Sequence, residues 1–171
     1  MDAFVVYSDR GVEAACHFWP SQRGASHEVK NMQSIPLRAK GSFTLVVKLE
    51  HLASRFKDSM LPPVLATPIM VLAMENAALN AIREYLGPGE SAVGAAVDIH
   101  HLAATPLGMQ VTAEAEVTKV DGRRIVFAVT ARDEIEEIGR GTHERMMIDL
   151  RRVMQRLDVK AGRRSTAADA D

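Results

Sequence analysis

Cysteine is nearly absent from this 171-residue chain: Cys16 stands alone, so no disulfide forms within it, and such usage fits a reducing cytoplasm. An excess of charge of either sign is missing too. Lys and Arg number 21 against 22 Asp and Glu, which removes any general attraction to nucleic acid or to an anionic membrane. No apolar run reaches the roughly 18–20 residues of a membrane span, because Glu75 interrupts the best candidate, "LATPIMVLAMENAALNAI" (65–82). The N-terminus carries Asp2, Asp9 and Arg10 around a short apolar patch and lacks the basic-then-apolar order of a signal peptide. Also missing are internal repeats, a Walker loop, a dinucleotide fingerprint, a G-x-S-x-G elbow and any Cys/His spacing suited to zinc. These absences lead us to expect a cytoplasmic protein with no membrane or nucleic-acid partner and no metal site.

What is present is apolar material, 47% of the residues, enough for one domain with a real core. Residues 1–40 show no sustained period and read as an N-terminal extension, although Met32 is an equally good start for the folded part. Residues 41–157 form the expected domain. The small and polar residues of 158–171 read as a disordered tail.

Inside the domain, "GSFTLVVKLEHL" (41–52) alternates as a strand with Phe43, Leu45 and Val47 on one face. Pro62-Pro63 forbid a regular element. Thr67-Pro68 then has the form of a helix start, with threonine as cap and proline at the first helical position. The helix that follows shows almost no polar face before Arg83-Glu84, and "YLGPGE" stops it. Four strands come next. "SAVGAAVDIHHLAA" places Val93, Ala95, Val97, Ile99 and His101 on one face and Gly94, Asp98 and His100 on the other. "MQVTAEAEVTKV" alternates cleanly, Asp121-Gly122 is a hairpin turn, "RRIVFAVTARD" returns from it, and "EIGRGTHERMMIDL" is a further strand before "RRVMQRL" ends as strand or short helix. A helix without a polar face needs cover on most sides. A curved antiparallel sheet wrapped around it, the hot-dog architecture of the α+β class, is the economical solution. One such sheet leaves its helix half covered and its edges open, and homodimerisation relieves both.

A carboxylate in an apolar helix costs several kcal/mol unless it is paired, hydrogen-bonded or protonated. Glu75 is therefore the first candidate for chemistry, a structural hydrogen-bond anchor being the plainer alternative. Thr67 lies about 80° around the helix and roughly 12 Å along it from Glu75. The two flank one elongated cleft or meet a substrate from two protomers, unless Thr67 is only a cap. Of His100 and His101, adjacent strand residues facing opposite ways, His101 shares its face with Val97 and Ile99 and is the inward candidate. "GTHER" (141–145) reads most plainly as an edge-strand salt-bridge patch.

Together, "LATPIMVLAMENAAL", "GPGESAVGAAVDIHHLAATPLG", "VTKVDGRR" and "DEIEEIGRGTHER" resemble the fluoroacetyl-CoA thioesterase-like family of hot-dog proteins, over about 41–153. The resemblance implies an acyl-CoA thioesterase with Thr67 ("ATP"), Glu75 ("MEN") and His101 ("HLAATPLG") as catalytic groups, and with Gly94 and Arg145 ("THER") lining the substrate site. It also implies no cofactor beyond the coenzyme A of the substrate, and a homodimer. Gly94 conflicts with simple alternation, which sets it opposite His101; a β-bulge between them, or a role through its backbone amide alone, reconciles the two. Leu61, Leu65, Ile69, Met70 and Leu72 suggest an apolar acyl site of modest size. The competing function on the same scaffold is a non-catalytic binding protein for acyl thioesters or other small molecules.

Overall fold

Strict alternation of apolar and polar residues builds most of the sheet. In β3 (Gln110–Asp121), Val111, Ala113, Ala115 and Val117 point inward, all at most 3% exposed, as Ile125, Phe127, Val129 and Ala131 do in β4 (Arg124–Arg132). The two strands join at Gly122, whose φ of 56° lies in the left-handed region that glycine tolerates. The structure, a computed structural model, describes residues 34–168, with side chains described through 162. Cys16 and most of the expected N-terminal extension lie outside the described residues.

With β1 (Lys40–Val46), β2 (Glu90–His101) and β5 (Glu137–Asp149), these strands form one antiparallel sheet in the order β1-β3-β4-β5-β2. β1 is shorter than its apolar pattern suggests. It stops at Val46, and the backbone turns through a 3-10 stretch, Leu49–His51, in which His51 Nδ1 accepts from the Lys48 amide. Its inner face is Gly41, Phe43 and Leu45, and Ile35 upstream already packs into the core. A four-residue helix, α1 (Ala53–Phe56), leads into the proline-containing loop.

The sheet packs on α2 (Thr67–Ile82) through Met70, Ala73, Met74, Ala77, Ala78, Ala81 and Ile82. This i, i+3, i+4, i+7 series is the face that touches the strands. The opposite face is open: Leu72 is 48% exposed, and Glu75, Asn76, Leu79 and Asn80 are only half-buried. A helix expected to be buried nearly all round is thus covered on one side within a single chain. Its sequence is apolar enough for a second covering layer that one sheet does not supply.

At the C-terminus, α3 runs from Leu150 to Ala168, where the composition suggests a tail without structure from 158. Alanine and arginine favour helix, and Gly162 is the only strong breaker among these residues. Residues 154–162 are exposed.

Candidate active site

The N-terminus of α2 sets the first half of the site. Thr67 is the first helical residue and Ala66 takes the cap position, so the threonine hydroxyl caps nothing. It meets His101 instead, with Oγ1 2.9 Å from Nδ1. His101 ends β2 on the inner face, as alternation predicts, and is half-buried. Burial pulls its imidazole below the ordinary value of 6.5, with a backbone group at Ala103 acting the other way. Its Nε2 is buried without a hydrogen-bond partner. A buried polar atom left open in this way suits a ligand that completes it.

The second half lies two turns further along α2, beside the other end of β2. A β-bulge interrupts the β2–β5 register between Gly94 and Ala96: Gly94 faces Arg145, while Val97 faces His143 and His101 faces Gly139. The extra residue, Ala95, shifts the alternation by one. Gly94 thereby joins Val97, Ile99 and His101 on the inner face, and Val93 turns outward at 38% exposure. The expectation that Val93 and Ala95 share the face of His101 fails for this reason. Gly94 has no room for more: a Cβ there would lie 2.8 Å from Glu75 Oε1 and 3.4 Å from His143 Cε1.

β5 is an inner strand, between β4 and β2, so "GTHER" is not an edge patch. Its alternation splits the motif. Glu144 faces outward and pairs with Arg124, whereas His143 (1% exposed) and Arg145 (8%) face α2. Arg145 Nη1 donates to the Glu75 backbone carbonyl at 3.0 Å and Nη2 to the Ala92 carbonyl at 2.7 Å. Burial pulls the guanidinium below its ordinary value and the Glu75 carboxylate offsets this; an arginine stays charged all the same. Glu75 itself is not fully buried: its side chain is 36% exposed, on the open face of α2, with Oε1 4.0 Å from His143 Nε2.

Two clusters result, Thr67 with His101 and Glu75 with Gly94, His143 and Arg145. All five expected site residues lie on the inner surface of β2 and β5 or on α2. No direct bond links Glu75 to Thr67 or His101 in one chain. His143 is the residue that sequence reasoning passed over, although the signal was there: two positions from Arg145 on a strand, it must share the arginine's face. Of the residues expected to form the acyl site, Leu65 and Met70 are sealed in the core at 1% and 0% exposure, while Leu61 and Leu72 are exposed. Among the described residues no three His, Cys, Asp or Glu side chains are grouped to hold a metal, and no helix is long and apolar enough to cross a membrane.

The model of the fluoroacetyl-CoA-specific thioesterase family matches residues 47–151. A fluoroacetyl-CoA thioesterase from Streptantibioticus cattleyicolor is 49% identical over 89 residues, 52% of this chain; the matched stretch spans 64% of that relative's length. A single-residue variant of a fluoroacetyl-CoA-specific thioesterase, solved in complex with fluoroacetate and CoA, superposes with a TM-score of 0.66 at 37% identity. That match covers 69% of this chain and 98% of the other. A thioesterase superfamily member from Thermus thermophilus gives 0.72 at 33% identity, covering 80% and 99%.

Proposed function

Because the chain belongs to the fluoroacetyl-CoA-specific thioesterase family, we propose that it hydrolyses the thioester of a small acyl-CoA, with Thr67, Glu75 and His101 as catalytic groups. The observation that carries this reading is the Thr67–His101 pair at the start of the helix that presents Glu75 two turns later. A thioester needs attack at its carbonyl carbon, a site for charge on its oxygen, and a proton for the departing sulfur. Glu75 supplies the attack in one of two ways. Its carboxylate adds to the carbonyl and expels the CoA thiolate, leaving a mixed anhydride that water opens; or it takes a proton from a water that adds directly. Either way the products are a carboxylic acid and CoA thiol. His101, tied to Thr67 through Nδ1, presents Nε2 to relay the proton to sulfur. The Gly94 amide serves the oxyanion, a role worth about 3–4 kcal/mol where one donor has been removed. Arg145 keeps positive charge beside Glu75.

Every reacting group is a side or main chain of the protein, so the reaction calls for no cofactor beyond the coenzyme A of its substrate, and we place it in the cytoplasm. The protomer alone leaves its cleft open. β2 is an edge strand with Val93, Gly94, Ala95 and Ala96 exposed, beside the uncovered face of α2. A homodimer pairing β2 with β2 closes that edge and brings a second protomer's surface to the gap of roughly 12 Å between Thr67 and Glu75.

The test is thiol release from short, branched and aromatic acyl-CoAs, with Glu75→Gln run alongside. Turnover that falls roughly 100-fold or more in the variant is expected for a lost base or nucleophile. No release from any acyl-CoA by the folded protein overturns the hydrolase reading and favours an acyl-thioester binding protein.

A further inference from the structure

His143 has no part in the mechanism above, yet it is among the most buried polar side chains described, at 1% exposure. Its ring lies against Phe127, centroids 6.1 Å apart and planes inclined by 25°. Nδ1 is 2.9 Å from the carbonyl oxygen of Ala96, the residue immediately after the bulge. A carbonyl only accepts, so Nδ1 carries the hydrogen, and in the neutral ring Nε2 bears the lone pair. Arg145 Nη1, which only donates, stands 3.3 Å from that Nε2. The guanidinium is thus anchored by the carbonyls of Glu75 and Ala92 and by the imidazole nitrogen, and none of these is a carboxylate. Its charge is held behind Glu75 without being consumed in a contact ion pair.

We propose that His143 is a positioning residue of the thioesterase site: as a neutral acceptor it fixes the Arg145 guanidinium, and through it the electrostatic setting of Glu75. The proposal rests on the hydrolase reading. The charged groups acting on His143 are Glu75 from α2, Arg145 from its own strand and, from the opposite face of that strand, Glu144; β2 and β4 place Gly94, Ala96, Val97 and Phe127 against it. Protonation of Nε2 would set two donors and two cations face to face at 3.3 Å, and burial likewise disfavours the charged ring. The neutral ring is therefore part of the site's resting architecture, and the bulge that presents Gly94 also supplies the carbonyl that fixes the tautomer.

Two variants separate positioning from packing. In His143→Gln the side-chain oxygen can still accept from Arg145. In His143→Leu the cavity is filled and the acceptor is lost. Kcat on the best acyl-CoA is expected to fall on the order of tenfold or more in the leucine variant, the scale of a displaced site group, with KM little changed and most of the loss restored by glutamine. Equal kcat in the leucine variant and wild type, or equal loss in both variants, overturns the proposal. A second readout does not depend on turnover: long-range proton–nitrogen NMR of the wild-type protein, with the His143 signal assigned by its loss in the variants. The expected signature is a neutral ring protonated on Nδ1 that persists below pH ~6.5, the midpoint of a free histidine. An Nε2–H tautomer, or titration at that midpoint, overturns the proposal even in an active enzyme. An inactive wild type showing the expected tautomer would instead fault the hydrolase reading alone.

Discussion

At the scale of single residues the site is governed by how closely charged groups approach backbone. Gly94 lies against the Glu75 carboxylate, and its φ is outside the left-handed region, so alanine fits the backbone but not the space. The obstructing atom, Oε1, ends a flexible side chain that can swing aside. Gly94→Ala is therefore expected to cost less than about 1 kcal/mol of stability while lowering kcat on the order of tenfold by moving the carboxylate. Thermal melting beside thiol-release kinetics checks this; a large fall in Tm would contradict it. The two inner histidines make a second prediction. Both His101 and His143 are pulled below 6.5 by burial. As pH falls past about 6.5, the unfolded chain binds protons that the native state still refuses. Their stabilising contribution is thus complete above that value and is lost as pH drops through the folded values. Melting curves across this window should show Tm falling toward acid, with a shallower slope in His143→Gln.

At the scale of elements, close helix–strand packing decides where the site residues stand. Gly41 in β1 leaves no room for a methyl group: a Cβ would lie 2.2 Å from the Ala81 amide nitrogen and 2.5 Å from the Ala77 carbonyl. These are backbone atoms of α2, which must move as a body. Gly41→Ala is expected to cost roughly 1–3 kcal/mol or more, the range for overpacking, measured as a lower urea midpoint. Unchanged stability would mean that α2 is less tightly seated. On β5, Gly139 faces the Met70 side chain and Gly141 closely approaches the Asp98 carbonyl of β2. "GRG" is thus a packing motif leading into "THER". The ladder itself was legible: β3 and β4 follow the sequence alternation, Asp121-Gly122 turns as expected, and α2 runs between its predicted start and stop. The bulge was harder to place. No residue in "VGAAV" marks which of several small side chains is the extra one, because the register is set by what β5 presents opposite.

At the scale of the whole molecule, apolar side chains are exposed on both the central helix and the edge strand β2. Leu72 and Val93, 48% and 38% exposed, belong to the open face of α2 and to the β2 edge. A long, open, apolar edge strand is a template for pairing. The proposed homodimer predicts a solution mass twice that of the 18.7 kDa chain. Val93→Arg is expected to shift the assembly toward monomer and to lower turnover with it, because the cleft between Thr67 and Glu75 is left open. Sedimentation equilibrium reads the mass. A fully active monomeric wild type would remove the second protomer from the site.

Local chemistry, which short stretches of sequence carry, determined the elements: alternation specified the strands, Thr67-Pro68 and Gly87-Pro88 bounded the central helix, and the motifs around Thr67, Glu75, His101, Gly94 and Arg145 named the family. Tertiary structure decided what depends on distant partners. It turned the Thr67 hydroxyl from a cap into the partner of His101, because β2 ends beside the helix start. It turned Gly94 inward through a bulge that only the pairing with β5 defines, and it buried His143 against Arg145 because β5 is an inner strand. Side-chain direction along a strand can be read from the strand alone; which strands flank it, and where its register slips, depend on contacts between segments far apart in the chain.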